Sequence, residues 1–463
     1  MSNRQTYTRL TDRPYDSSHE TIPKAAAPSS SRRGRQSHTS KLLLVYAIVF
    51  IDFVGVSIFT NVMPILVDPS LPSCLYGMGN LDQGTAYSIL MFFYTFGMLF
   101  SPPLFGKLSD IYGRRPLLLV SIIGLTVAYA LQAVALNFWV FASVRFLIGL
   151  LGGGRPVASA YICDLTKNGD EQIRALAWMN MAPALSFAIG PPLGGLLVGL
   201  CGPMFPPAFV AILALLVSVM SWKHLAEASP SQPESLTIPN PEDSSLPSGR
   251  RSSDKFMYFL VFTLALLSNC MYMTDFLNFP LVLKDEFGFS PFLAGATGIG
   301  DGLLVFVGNW MYMVLATDLK IRVSVIALSA CASYVVSAFA PLCFNSIAGL
   351  LVVKYIVALA GPLIFGTLPQ LVATISPPGR GGEFMGYFNF FLSVGNLIPT
   401  PWAGPVYEHW GHGANFYIAT IFSVLCVIAF IPLIPMLRHY ECPTLREMIS
   451  QRILSTHSPV AMW

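Results

Sequence analysis

The chain has 463 residues, of which 54% are hydrophobic and 11% charged, with a formal net charge of +3 and a mean hydropathy of +0.61. A soluble domain keeps about a quarter of its residues charged, so this composition excludes a soluble enzyme or binding module and indicates an integral membrane protein. The small positive balance is a matter of loop charges and needs no nucleic-acid partner.

A membrane-crossing helix takes about 20 apolar residues to span roughly 30 Å of hydrocarbon, and about twelve such runs follow Lys41. They are predicted at 42–67, 85–108, 115–135, 138–162, 175–199, 204–222, 257–281, 291–315, 323–341, 346–371, 383–407 and 415–437. Residues 1–40, rich in Ser, Thr, Pro and Arg, are too polar to bury a core and read as a disordered tail. They lack the apolar core and cleavage site of a secretory signal. Residues 41–222 then form a first six-helix bundle, 223–255 a linker dense in Pro and Ser, 256–437 a second bundle and 438–463 a second tail.

Short loops rich in Lys and Arg stay cytoplasmic. Lys107, Arg114 and Arg115, then Lys167 and Arg174, then Arg250, Arg251 and Lys255, then Lys320 and Arg322, then Arg380 all fall on one side with both tails. The opposite loops carry Asp68, Asp82, Glu286 and Glu408, with Lys284 as their clear base. Both tails are therefore predicted to be cytoplasmic.

Asp52 lies about 16 Å into the first span at roughly 1.5 Å per residue. An acid that far from water is costly to keep ionised, so it can hold a proton and release it when wetted or salt-bridged. Gly106 to Leu118 reads as a tight cytoplasmic hairpin between spans two and three, with Asp110 able to accept hydrogen bonds from a helix amino terminus and Arg114 or Arg115 able to pair with an acid. Asp164 and the segment Gly379 to Glu383 are the expected partners. Arg145 sits about 10 Å into span four and must face a polar cavity or a partner. Gly149, Gly152, Gly153 and Gly154 follow it and allow close packing.

In span five, Gly190, Pro191, Pro192, Leu193, Gly194 and Gly195 combine a helix bend with close helix approach. Asp301 is a second deep acid, set among Gly295, Gly298, Gly300 and Gly302. Lys354 lies in span ten, and Asn180, Asn389 and Asn396 are amides within apolar runs. Most of the eight cysteines fall in or beside spans; Cys74 and Cys201 both face outward, and their pairing is left open. No Walker A, HExxH, nucleophile elbow or Cys/His metal cluster occurs, so no cofactor or metal is expected and the chain does not read as an enzyme.

An ungapped shift of 209 positions sets Val144 to Gly153 over Val353 to Pro362, aligning Arg145 with Lys354 and Asn180 with Asn389. Two diverged six-span copies with a site between them is a secondary-transporter architecture. Gly106-Lys107-Leu108-Ser109-Asp110-Ile111-Tyr112-Gly113-Arg114-Arg115-Pro116 then resembles the loop 2–3 signature of the major facilitator superfamily. Ile51 to Leu66, around Asp52, resembles the first span of its proton-coupled multidrug antiporters, and Gly190 to Gly195 part of their span-five motif, with Ser186 in place of an earlier glycine.

The resemblance implies an all-α membrane protein, with twelve helices in two six-helix pseudo-repeats working by alternating access. It implies a cytoplasmic lock formed by Gly106, Asp110, Gly113, Arg114, Arg115 and Asp164. With the positions of the charges and amides, it leads to an expectation of proton coupling or substrate contact among Asp52, Arg145, Asp301, Lys354 and Asn389, and the resemblance implies a helix bend at Gly190, Pro191, Gly194 and Gly195. The expected function is proton-coupled export of a small organic compound, a drug or secondary metabolite, by a monomer in the plasma membrane rather than the vacuolar membrane. Its partners are the solute, protons and the bilayer. Uptake of an organic anion, favoured by Arg145 and Lys354, is the alternative, and a solute sensor is the reading of another class.

Overall fold

Along the third span the apolar residues separate into two faces at helical spacing. Leu118, Ile122, Leu125 and Tyr129 are buried, whereas Val120, Ile123, Val127 and Leu131 are exposed on the opposite side. An exposed apolar stripe of that length is what lipid covers. The structure, a computed structural model of the chain, describes residues 30–71, 74–166, 169–225, 250–315, 325–326, 329, 333, 335–337, 339, 346–375, 381–411 and 413–433.

The described helices are α1 (Ser30–Phe59), α2 (Met63–Leu66), α3 (Gln83–Tyr112), α4 (Arg114–Val134), α5 (Phe138–Leu151), α6 (Gly154–Leu165), α7 (Gly169–Cys201) and α8 (Phe205–His224) in the first half. The second half has α9 (Arg250–Asp285), α10 (Pro291–Met313), α11 (Ile347–Ile375), α12 (Gly381–Leu397), α13 (Ala403–Trp410) and α14 (Ala414–Phe430). Among the described residues, nine stretches are long and apolar enough to cross a membrane, and Ala414–Phe430 is a shorter apolar helix. Most of the predicted span 323–341, the body of the linker, the tail from 438 and residues 1–29 lie outside the described residues.

Local chemistry explains where the helices depart from the predicted runs. The expected hairpin from Gly106 to Leu118 is instead a one-residue break, since α3 continues through Tyr112 and α4 begins at Arg114. Gly113, at φ +92°, makes the turn, a conformation that glycine adopts without a Cβ clash. Gly106 lies inside α3 with open space where a Cβ would be. The fourth span is broken at Gly152 and Gly153 into α5 and α6. The run 383–407 is likewise divided between α12 and α13, with Pro399 and Pro401, which lack an amide donor, in the gap. Asn137 caps α5, its Oδ1 accepting from the amides of Trp139 (3.0 Å) and Val140 (3.3 Å).

The buried apolar residues form three cores. One packs the ends of the first half beside the turn between α3 and α4, including Val45, Leu118, Val157 and Met179. A second packs the corresponding ends of the second half, including Val261, Ile364, Phe388 and Cys426. The third is common to both halves and lies at the opposite end, the one predicted to be outer, where Phe59, Tyr87 and Phe141 join Leu277, Leu283 and Tyr407. The halves are therefore sealed together at that end and packed separately at the other.

Helices α7 and α10 cross between the halves in close backbone contact. A Cβ on Gly195 would stand 2.4 Å from the Pro291 carbonyl oxygen, one on Gly295 2.4 Å from that of Pro191, and one on Gly302 2.2 Å from the Ala188 nitrogen. Only glycine lets the two backbones approach this closely. Helix α1 reinforces the junction: the Ser57 hydroxyl donates to the Ser186 carbonyl (2.9 Å) and that of Ser186 to the Phe50 carbonyl (3.0 Å).

Candidate functional site

Beneath the outer seal, between the halves, lies a cavity of about 410 Å³. The first half contributes Arg155, Asn180 and Phe187, and the second contributes Asp275, Asp301, Asn309, Lys354 and Asn396 among others. Aromatic rings cross it in sequence. The ring centroids of Phe187 and Phe276 are 6.0 Å apart, those of Phe276 and Tyr272 6.1 Å, and those of Tyr272 and Phe365 6.3 Å. Apolar walls with a few placed polar groups are what a small organic ligand requires.

The charges fall into two groups. On the second-half wall, Lys354 Nζ is 4.0 Å from Asp301 Oδ2 and 3.6 Å from the centroid of the Phe279 ring. Asp275 lies within electrostatic reach of the same ammonium. On the first-half wall, Arg155 Nη2 donates to Asn180 Oδ1 at 3.2 Å, and Asp52 stands within electrostatic reach of Arg155. The break between α5 and α6 sets this pair, because Gly152 lies against Asp52, with a Cβ there 3.3 Å from Oδ1, and Arg155 is the second residue of the next helix, two residues after Gly153.

The structure thus brings Asp301 and Lys354 together on the cavity and sets Asp52 just behind its wall. It separates two other candidates from them. Arg145, expected to face a polar cavity, is 1% exposed in the shared outer core. Its Cζ lies 4.3 Å from the Phe59 centroid and 5.8 Å from that of Tyr94. Its Nε and Nη2 have no hydrogen-bond partner among the described residues. Aromatic faces here do the work assigned to a polar partner. Asn389 is exposed, gives its amide to the Met385 carbonyl of its own helix (2.9 Å), and is not part of the cavity wall. Its aligned counterpart Asn180 is.

Gly190 and Gly194 lie against α1, where a Cβ would stand 2.0 Å from Ser57 Oγ and 2.3 Å from the Ile58 carbonyl oxygen respectively, while Gly195 and Pro191 meet α10. At the loop between α3 and α4, Arg114 Nη1 is 2.6 Å from Asp110 Oδ1 and Nε is 3.3 Å from Asp164 Oδ2. Its Nη1 also donates to Ser109 Oγ (2.6 Å). Arg115 donates to the Trp222 carbonyl (3.2 Å). These contacts all lie within the first half; Gly379 and Arg380 are outside the described residues.

Arg155 and Asp275 were not among the sequence candidates. Arg155 follows three glycines, which drew attention to close packing, and Asp275 stands in a long apolar run. The signal that singled out Asp52, a charge deep in a span, applies equally to both.

On the outer side, Lys284 pairs with Asp68, Glu408 Oε1 accepts from the Gly84 amide (2.6 Å), and the Gly404 amide donates to Ser88 Oγ (2.7 Å). Each contact joins one half to the other. Burial pushes the Asp68 carboxyl up, but hydrogen bonds from Lys284 and Ser70 outweigh it and hold it below the usual carboxylate range. A lowered value means that the pair supports closure above the ordinary carboxylate value near about 4 and is lost as pH falls through the lowered one. External acid below that range should therefore open the outer seal, and Asp68→Asn should open it at neutral pH. Labelling of Thr400→Cys by an external maleimide measures this; unchanged labelling in Asp68→Asn would exclude a gating role for the pair.

Two six-helix halves around a central cavity, sealed on one side, define a membrane carrier rather than an enzyme. The family model for the Major Facilitator Superfamily matches residues 45–400, and the chain belongs to that family. It is 30% identical to the class C tetracycline resistance protein of Escherichia coli over 270 residues, 57% of this chain and 63% of the relative. The match thus spans less than two thirds of that protein. By structure, the chain is similar to the human organic anion transporter MFSD10, with a TM-score of 0.60 and 19% identity, over 85% of this chain and 99% of the other. It is also similar to a bacterial homologue of the human lysosomal transporter Spinster, inward-facing and unoccupied, with a TM-score of 0.64 and 14% identity, over 87% and 98%. These two likenesses establish the fold.

Proposed function

We propose that the protein exports a small amphipathic organic compound in exchange for protons, by alternating access in the plasma membrane. The observation that carries this reading is the cavity: it is lined by aromatic rings and by charges of both signs and lies under a sealed outer face. The likeness to a tetracycline resistance protein supports an outward direction.

Asp52 is the proton carrier in this scheme. Ionised, it holds Arg155 back by electrostatic attraction and leaves room for the solute; protonated, it releases Arg155 toward Asn180 and into the solute's place, so proton and solute exclude one another. That competition couples their movements. Arg114, with Asp110 and Asp164, shapes the cytoplasmic end of the first half and is its docking surface when that side closes. A monomer suffices, since both walls of the cavity come from one chain. Lys354 and Arg155 on facing walls favour a second reading, uptake of an organic anion.

Reconstituted vesicles with an imposed pH gradient test the proposal. A panel of amphipathic solutes that includes tetracycline should yield at least one that accumulates on the acidic side, with accumulation lost when the gradient is dissipated. Accumulation on the alkaline side would overturn exchange in favour of uptake together with protons. Binding without movement would make the protein a sensor.

A further inference from the structure

Lys354 already occupies a site suited to a positive ligand. Its ammonium is 3.6 Å from the centroid of the Phe279 ring and 4.0 Å from Asp301 Oδ2. Asp275 is within electrostatic reach of it and has its Oδ1 buried without a hydrogen-bond partner among the described residues. One aromatic face and two carboxylates around a single ammonium is the chemistry of a cation cage. The pairing is loose, because 4.0 Å exceeds hydrogen-bond range and the side chains of Lys354 and Asp301 keep 26% and 28% exposure. An ion pair so placed is worth little and is easily exchanged.

We propose that Lys354 is a tethered occupant of a cation-binding subsite formed by Phe279, Asp275 and Asp301, and that the transported solute carries a cationic group which displaces it. The long, flexible lysine stem allows the ammonium to swing aside. Arg155 and Asn180 then face the far end of the solute, where they accommodate oxygen acceptors, and the rings of Phe187, Phe276 and Tyr272 hold an aromatic body between. The substrate class is therefore an aromatic organic cation or zwitterion. This rests on the cavity being the transport site, and it reverses the reading of Lys354 as an anion-binding base.

Equilibrium binding of tetraphenylphosphonium to the purified full chain in lipid nanodiscs, without a pH gradient, tests it, with naphthalenesulfonate as the anionic aromatic control. Lys354→Met should tighten phosphonium binding about tenfold, the factor expected when a tethered competitor fills the cage nine-tenths of the time. Asp301→Asn and Asp275→Asn should each weaken it, and Lys354→Arg, which retains the cation, should bind as the unaltered chain does. Phosphonium binding that is unchanged or weaker in Lys354→Met, or undetectable in both it and the unaltered chain, overturns the proposal. So does loss of sulfonate binding in Lys354→Met without a gain for the cation, which would make Lys354 an anion site. If these shifts appear while proton-driven flux fails in vesicles, the coupling scheme falls and the subsite stands; proton-driven flux without the shifts removes the subsite alone.

Discussion

Replacing Asp52 by Asn is expected to retain downhill exchange of solute, at raised solute concentration, and to abolish its accumulation against a gradient. Asp52 is 9% exposed, lies against the break at Gly152 and has Arg155 as its charged neighbour. Asn preserves the shape and hydrogen-bonding capacity of a protonated Asp but cannot ionise, so Arg155 stays released and competes with the solute equally on both faces of the membrane, whatever the pH. With a pH gradient of about one unit, a carrier exchanging one proton per solute concentrates that solute about tenfold. In Asp52→Asn the ratio should fall to one. Accumulation in vesicles checks this, and counterflow of labelled solute confirms that the variant still cycles. Retained accumulation would move the coupling role to Asp275 or Asp301, the acids that line the cavity.

Gly302→Ala should have the next largest effect, through conformation rather than chemistry. The added methyl would sit 2.2 Å from the nitrogen, 2.4 Å from the Cα and 2.6 Å from the Cβ of Ala188. The first two are backbone atoms of α7, so the conflict is relieved only by moving the halves apart. Overpacking of this kind costs about 1–3 kcal/mol, enough to shift a two-state equilibrium by roughly 5- to 150-fold. The sealed outer state should therefore be depopulated, with Thr400→Cys becoming reactive from outside and transport falling accordingly. Gly199→Ala, where no atom beyond the local backbone of its own helix lies within 4 Å of the new methyl among the described residues, is the control expected to retain normal activity. Normal transport by Gly302→Ala would show that α7 and α10 need not approach this closely at any step.

The two predictions stand on different footings in the sequence. Asp52 was legible because a carboxylate in an apolar run is conspicuous wherever the helix turns. The role of Gly302 was only partly legible, since a run of glycines announces close approach without saying to what. Arg145 and Lys354 illustrate the limit well. Both are bases in apolar spans and align under the same internal shift, yet Arg145 is enclosed by rings in the outer core and Lys354 reaches a carboxylate on the cavity. Asn180 and Asn389 diverge in the same way, one on the cavity and one turned to its own helix.

By itself, the sequence determined that this is a multi-spanning membrane protein, its expected orientation and its family. Those properties follow from local chemistry: hydrocarbon demands long apolar helices, basic loops remain cytoplasmic, and the turn at Gly113 depends on one residue. The tertiary structure decided which charges share a cavity, that the halves seal together at one end and not the other, and that Arg155 and Asp275 line the cavity. Helical periodicity says which residues lie on a common face, but the direction that face points is set by packing against helices hundreds of residues away.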